Sequence, residues 1–294
     1  MKIFDCTTFY SEDLMMDVRF NVLNEYVHKF VVVESKFSHS GNPKKLNFDI
    51  NNYKKFKDKI IYLVIENEPE GIKSFKNDDF SSSIKRMNSL KRIELSYDYM
   101  LHGIKEATED DLIILSDNDE IPNLSSNQFK SSKMDIIIFK QLFFYYKFNL
   151  LYDRMHWFGS KACKKKKLKS FSWLRNLKNK KYPIWRIDSL FSKTKETNLE
   201  IINDGGWHFT NMKNPEEIFS KYNSFLHNVD FKLSGLTLED IKNMVSEKKI
   251  LYDHFADQRK VDKWDSSVVL KPIDISFLPE YIIKNKDKFK IWLE

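Results

Sequence analysis

Residues Leu112 to Pro122 read LIILSDNDEIP: four aliphatic residues running straight into an acidic turn that closes on Ile-Pro. Such a short, unbroken apolar run describes a strand buried on both faces, as in a parallel sheet covered by helices. The polar residues begin where that strand ends, and in open α/β sheets ligands sit beyond the carboxyl ends of the strands. Asp117 and Asp119 are separated by one residue, so in extended chain their carboxylates project to the same side. Two such groups can converge on a hard divalent cation, Mn2+ or Mg2+, and leave positions open for a diphosphate. An isolated Asp-x-Asp pair is a common turn composition. Behind a buried strand and ahead of Glu120-Ile121-Pro122 it reads as a metal site.

Upstream the same alternation repeats. Lys2–Thr8 predicts a short strand, Glu12–Tyr26 a helix with Leu14, Met15, Val18, Val22 and Leu23 at helical spacing, and Phe30–Glu34 (FVVVE) a second buried strand. A charged helix or loop near Tyr53–Lys59 leads to a third strand, Ile60–Ile65, and Ser83–Ala107 predicts one long helix. Downstream, Asp135–Lys140 and Gln141–Tyr146 are β-rich, Ile184–Phe191 is strand-like, and Pro215–Leu226 is a helix with Asn214 as N-cap. The order predicts an α/β class, a Rossmann-like and mostly parallel central sheet flanked by helices. We expect a catalytic domain over residues 1–235 and a helical or irregular appendage over 236–294 packed on it.

With 294 residues, 41% of them hydrophobic and 15% aromatic, the chain can bury a sizeable core, which excludes a disordered protein. The net charge of +7 suits a nucleic acid, an anionic membrane surface or a small anion such as a nucleotide diphosphate. The densest basic run, Lys161–Lys169 (KACKKKKLK), continues through Arg175 to Lys181. It reads first as a solvated loop and second as a peripheral contact for membrane headgroups or an acidic acceptor; specific nucleic-acid binding is not expected. The two cysteines form neither a disulfide framework nor a zinc set, acidic residues follow Met1 too soon for a secretory leader, and no stretch approaches the roughly 18 apolar residues of a membrane span. The expectation is a cytoplasmic protein.

A second constellation is Asp204-Gly205-Gly206-Trp207-His208. Gly205 and Gly206 would let the backbone approach a ligand closely, and Trp207 would offer a flat apolar surface to a sugar. His208 reads as a third metal ligand or as a contact to the diphosphate. Asp204 and Glu120 are rival general bases for an incoming hydroxyl. The aromatic run Phe143, Phe144, Tyr145, Tyr146 and Phe148 reads as core first and as an acceptor wall second. Glu12 and Arg19 read as a helix-associated ion pair or as a donor contact. His254 and Asp257 are spaced like ligands, with nothing around them to support a site.

Taken in order, the opening KIFDCTTFYSEDLMMDVRFNVL, then Phe30–Gly41 (FVVVESKFSHSG), Lys91-Arg92, LIILSDNDEIP, Trp157-Phe158-Gly159, Gly205–Thr210 and Lys221–His227 resemble successive segments of glycosyltransferase family 17. The resemblance implies a GT-A fold and a UDP-sugar donor, UDP-GlcNAc in the characterised members. It also implies inversion at the anomeric carbon by one in-line displacement with a carboxylate base, and a glycan or glycolipid hydroxyl as acceptor. It places the metal on Asp117 and Asp119 with His208 beside them, and donor contacts on Glu34, Arg92, Asp117, Gly205, Gly206 and Trp207. Two rivals are a GT-A module that binds nucleotide or glycan without turnover, and a nucleotidyltransferase. The latter calls for a glycine-rich phosphate loop near the N-terminus, which Thr7–Leu14 lacks.

Overall fold

A computed structural model of the protein describes residues 1–74, 81–183, 185, 188, 191–224, 228–255, 264 and 267–294. In chain order its strands are β1 (Ile3–Thr8), β2 (Lys29–Ser35), β3 (Ile60–Ile65), β4 (Leu112–Leu115), β5 (Glu120–Pro122), β6 (Ile136–Phe139), β7 (Leu142–Tyr145), β8 (Leu150–Leu151), β9 (Lys161–Lys164), β10 (Glu200–Ile202), β11 (Gly206–Thr210) and β12 (Lys271–Pro272). One sheet has the order β10-β6-β9-β4-β1-β2-β3, parallel throughout except for β9, which runs against both of its neighbours. The other has the order β12-β8-β7-β11-β5. The protein is therefore a mixed α/β fold with helix-flanked sheets.

The aliphatic runs are continuous because the larger sheet is covered on both sides. Val32, Leu112 and Ile114 face α1 (Asp13–Leu23), whose Met15, Val18, Phe20 and Leu23 are buried with them. Val31, Val33, Ile113 and Leu115 face the opposite core, with Tyr97 of α2 (Ser81–Asp98) and with Met100 and Ile104. The α-helical geometry does not run on to Ala107: Tyr99–Gly103 tightens into a 3-10 turn. Gly103 there lies so close to β2 that a Cβ on it would come within 2.3 Å of a Val31 methyl. A third core joins Phe143, Tyr145 and Tyr146 to Ile218, Ile241, Ile250 and Leu251, while Leu278, Ile282 and Phe289 pack into the α1 side. All five members of the aromatic run are thus core residues, at most 2% exposed.

The basic run departs most from expectation. Lys161–Lys164 is a central strand, with Ala162 and Cys163 fully buried on opposite faces, because β9 fills the gap between β4 and β6. Lys161 is itself buried, and its Nζ donates to the main-chain oxygens of Arg175 and Leu177, both at 2.6 Å. Lys164 pairs with Asp135 at 2.9 Å and Lys166 with Asp110 at 2.7 Å. Lys166, Lys167 and Lys169 are the exposed members. Short helices follow at α3 (Asn127–Ser131), α4 (Phe171–Asn176) and α5 (Pro215–Ser224). The last is opened by a reciprocal cap, Glu217 N to Asn214 Oδ1 at 2.8 Å and Asn214 N to Glu217 Oε2 at 3.0 Å. The strand expected over Ile184–Phe191 falls largely, and His227 and Asp257 wholly, outside the described residues. Among those described, no helix is long and apolar enough to cross a membrane.

Candidate active site

β4 belongs to the larger sheet and β5 to the smaller, so Ser116–Asp119 carries the chain from one to the other. Arg19, fully buried on α1, holds this crossing in place. Its Nε and Nη2 donate to the two carboxylate oxygens of the equally buried Asp5, at 2.7 and 2.5 Å, and its Nη1 donates to the main-chain oxygens of Glu120 and Asp117, at 2.6 and 3.4 Å. Glu120 folds back under the turn, its Oε2 accepting from Asp117 N at 2.8 Å and its Oε1 from Trp157 Nε1 at 2.6 Å.

β11 pairs antiparallel with β5, which sets His208 across from Glu120, and Phe209 N donates to the main-chain oxygen of Asp119 at 2.8 Å. The His208 imidazole stacks against the rings of Trp157 and Phe143, centroids 4.5 and 4.6 Å away and planes inclined by 25° and 24°, and those two rings touch each other at 5.2 Å. Its Nε2 stands 3.4 Å from Asp119 Oδ2, and its buried Nδ1 has no hydrogen-bond partner. Burial pushes the Asp119 carboxyl up, but His208 and Lys221 more than offset this and hold it below the usual carboxylate range. Glu120 goes the other way: burial, reinforced by the charge of Asp117, raises it to about 7.

Beyond the carboxyl ends of β1, β2 and β4 opens a cleft of about 930 Å³ including its mouth. Thr8, Ser35, His39 and Tyr97 line it together with Asp117, Asn118, Asp119, Arg175 and Lys221. Asp117 accepts from Tyr97 Oη and from Arg175 Nη2, the latter at 2.9 Å. Burial lowers the neighbouring His39 to about 4, so it is a neutral member of the lining at neutral pH. A second, smaller pocket shares Asp117 and Arg175 with the cleft and reaches Glu120, Trp157 and Lys161.

The other residues singled out by sequence are placed differently. Glu34 is buried and saturated by Lys44, Asn47 N, Phe48 N and Tyr62 Oη, so it anchors the loop after β2. Arg92 forms a two-pronged pair with Glu68, at 2.7 and 2.8 Å, and donates to His39 O at 3.2 Å. Gly205 and Gly206 do allow close backbone approach, but to the chain itself: a Cβ on Gly205 would lie 2.4 Å from Lys140 N, and one on Gly206, at φ +109°, 2.2 Å from Ile121 O. Trp207 points to the opposite side of β11 from His208 and donates through Nε1 to Phe277 O at 2.7 Å. Asp204 is exposed ahead of β11, held by Asn123 Nδ2 at 2.9 Å, and is not part of the cleft lining.

The model of glycosyltransferase family 17 matches residues 1–294. The chain belongs to that family. No curated protein sequence matches it. Among solved structures it is similar to HddC from Yersinia pseudotuberculosis, with 12% identity, 69% of this chain and 91% of that one covered, and a TM-score of 0.32. It is also similar to the inositol-1-phosphate CTP transferase from T. maritima, with 17% identity, 56% and 71% covered, and a TM-score of 0.29. Likenesses this distant carry no weight for the function of the transferase.

A divalent cation fits part of the expected ligand set. The Asp119 carboxylate and the His208 imidazole form a mixed oxygen and nitrogen pair suited to such an ion. Asp117 is turned instead to Tyr97 and Arg175, and among the described residues no three His, Cys, Asp or Glu side chains are gathered closely enough to hold a metal. Two protein ligands would leave the remaining positions to a substrate diphosphate and water. Three residues of the candidate site were not marked by sequence as site residues: Tyr97, Arg175, and Trp157 as the platform beside His208. Arg175 was hidden by the lysines around it, and Trp157 carried a signal only as part of a family segment.

Proposed function

We propose that this family 17 enzyme is a GT-A type transferase that moves GlcNAc from UDP-GlcNAc, with inversion, to a hydroxyl of a glycan or glycolipid. The observation that carries the reading is Asp119, which lines an open cleft at the strand ends and meets the buried His208 at 3.4 Å. In this reading Asp119 and His208 hold Mn2+ or Mg2+ beside Asp117, and what the bound cation supplies is neutralisation of charge on the departing diphosphate. Trp157 and Phe143 fix the imidazole plane, and Arg19 fixes the turn that presents the aspartates. Inversion needs a base for the acceptor hydroxyl. Of the two carboxylates considered, Glu120 is the assignment, because it lines the smaller pocket that shares Asp117 and Arg175 with the cleft, whereas Asp204 lines neither.

The test is release of UDP from UDP-GlcNAc with a panel of glycan and glycolipid acceptors, in Mn2+ and in EDTA. Turnover should require the metal, and Asp119→Ala should reduce it at least about a thousandfold, the scale on which loss of charge stabilisation acts, while the melting curve stays cooperative. Undiminished turnover in a folded Asp119→Ala protein would remove the metal role.

A further inference from the structure

Arg175 stands on the last turn of α4, in a position the chain constructs from several sides. Its guanidinium lies over the Tyr97 ring, 4.7 Å from the centroid, and Nη2 donates to Asp117 Oδ2 at 2.9 Å. The buried Lys161 pins its main-chain oxygen at 2.6 Å, and Ser172 N donates to Asp98 Oδ1 at 2.9 Å, tying α4 to α2. Yet its side chain keeps 42% exposure, and it lines both the cleft and the smaller pocket. Of the other cations nearby, Lys44 is committed to Glu34 and Arg92 to Glu68, and Lys221, also on the cleft wall, donates to Asn211 Oδ1 at 3.2 Å. Arg175 is instead paired with an aspartate of the Asp-x-Asp turn itself.

We propose that Arg175 is a donor-binding residue that grips the diphosphate of the nucleotide sugar, its guanidinium exchanging Asp117 for phosphate oxygens when the donor enters. The inference rests on the transferase reading above. A guanidinium presents a planar fork of donors that matches phosphate oxygens two at a time, and a charge-assisted pair of that kind is stronger than a neutral hydrogen bond. The Tyr97 face holds the cation at the cleft wall, beside Asp117. Asp117 occupies it in the free protein, and the exchange releases the Asp117 carboxylate at the moment a metal and a diphosphate arrive together. The exchange breaks no covalent bond and moves no proton.

The experiment is titration calorimetry in saturating Mn2+ with uridine, UDP and GDP, on the full-length protein and on Arg175→Ala and Arg175→Gln. The Gln variant keeps the stem as far as Cδ and a neutral amide donor, should the Ala variant fold poorly. Either variant should bind UDP about 10- to 100-fold more weakly, the loss expected of a charged hydrogen bond, and bind uridine as the unsubstituted protein does. UDP affinity that is unchanged, or that falls equally with uridine affinity, would overturn the role of Arg175 and leave the transferase reading standing. Failure of the unsubstituted protein to bind either nucleoside diphosphate would overturn both.

Discussion

Arg19 shows how much of the site is decided by a side chain that touches no ligand. Read from sequence it was one end of an ion pair with Glu12 or a donor contact. In the fold its partner is Asp5, and Glu12 instead accepts from Tyr10 N, Ser11 N and Asn118 Nδ2. Removing one member of a fully buried pair leaves the other without a counter-charge, so Arg19→Ala should cost about 3–5 kcal/mol in urea unfolding. The double variant Asp5→Leu/Arg19→Met should recover most of that stability, but not the grip on Asp117 and Glu120, and so should lose metal-dependent nucleotide binding. A loss below about 1 kcal/mol in Arg19→Ala would show the pair to be inert. Asp119 and His208 were picked out by residue type and spacing, and the fold brings them to 3.4 Å of each other. Which face of a strand meets the cleft is not: Trp207 and His208 are neighbours that point opposite ways. Glu34 and Arg92 have side chains suited to a donor site, and only the fold shows them spent on Lys44 and Glu68.

At the scale of elements, the strands that patterning finds are the apolar ones of the larger sheet: β1 to β4 appear within a residue or two of the runs that predict them. The smaller sheet was not legible as a sheet. Its strands are two to five residues long, and β11 pairs with β5 and β7 across more than sixty residues of sequence, a distance at which local composition says nothing about partners. The basic run misleads for a related reason, since four lysines in a row outweigh the Ala162-Cys163 pair that belongs to the core. The structure divides the run, and a charge experiment reads the division. Lys161→Glu would set a carboxylate against the oxygens of Arg175 and Leu177 and should destabilise by about 3 kcal/mol or more. Lys166→Gln, Lys167→Gln and Lys169→Gln together should stay within about 1.5 kcal/mol of the parent in the same melts. Equal effects from both would return the whole run to the surface.

Over the whole molecule, the sequence announced an α/β chain with its acidic turn at the strand ends, where the cleft lies, because strand and helix alternate through the first half and the turn follows a buried strand. It did not announce that two sheets meet at that turn. The seam is what brings His208, more than eighty residues downstream, beside Asp119. The described residues after 236 supply interior partners to this body: Ile241, Ile250 and Leu251 seal the smaller sheet, and Leu278, Ile282 and Phe289 close the core beside α1. A cleft formed at such a seam, with Asp117, Asp119, His39 and Arg175 on its wall, should take a nucleotide diphosphate together with its metal, and a ligand bound only by the native state raises the apparent stability of the fold. The most direct measurement is thermal unfolding of the purified protein with uridine, UDP and UDP-GlcNAc, each in Mn2+ and in EDTA. UDP and UDP-GlcNAc should raise the midpoint by several degrees in Mn2+ alone, about 2.7 kcal/mol of stabilisation at a hundred times Kd, and the shift should vanish in Asp119→Ala. A cooperative transition that no nucleoside diphosphate displaces, with or without metal, would contradict the account.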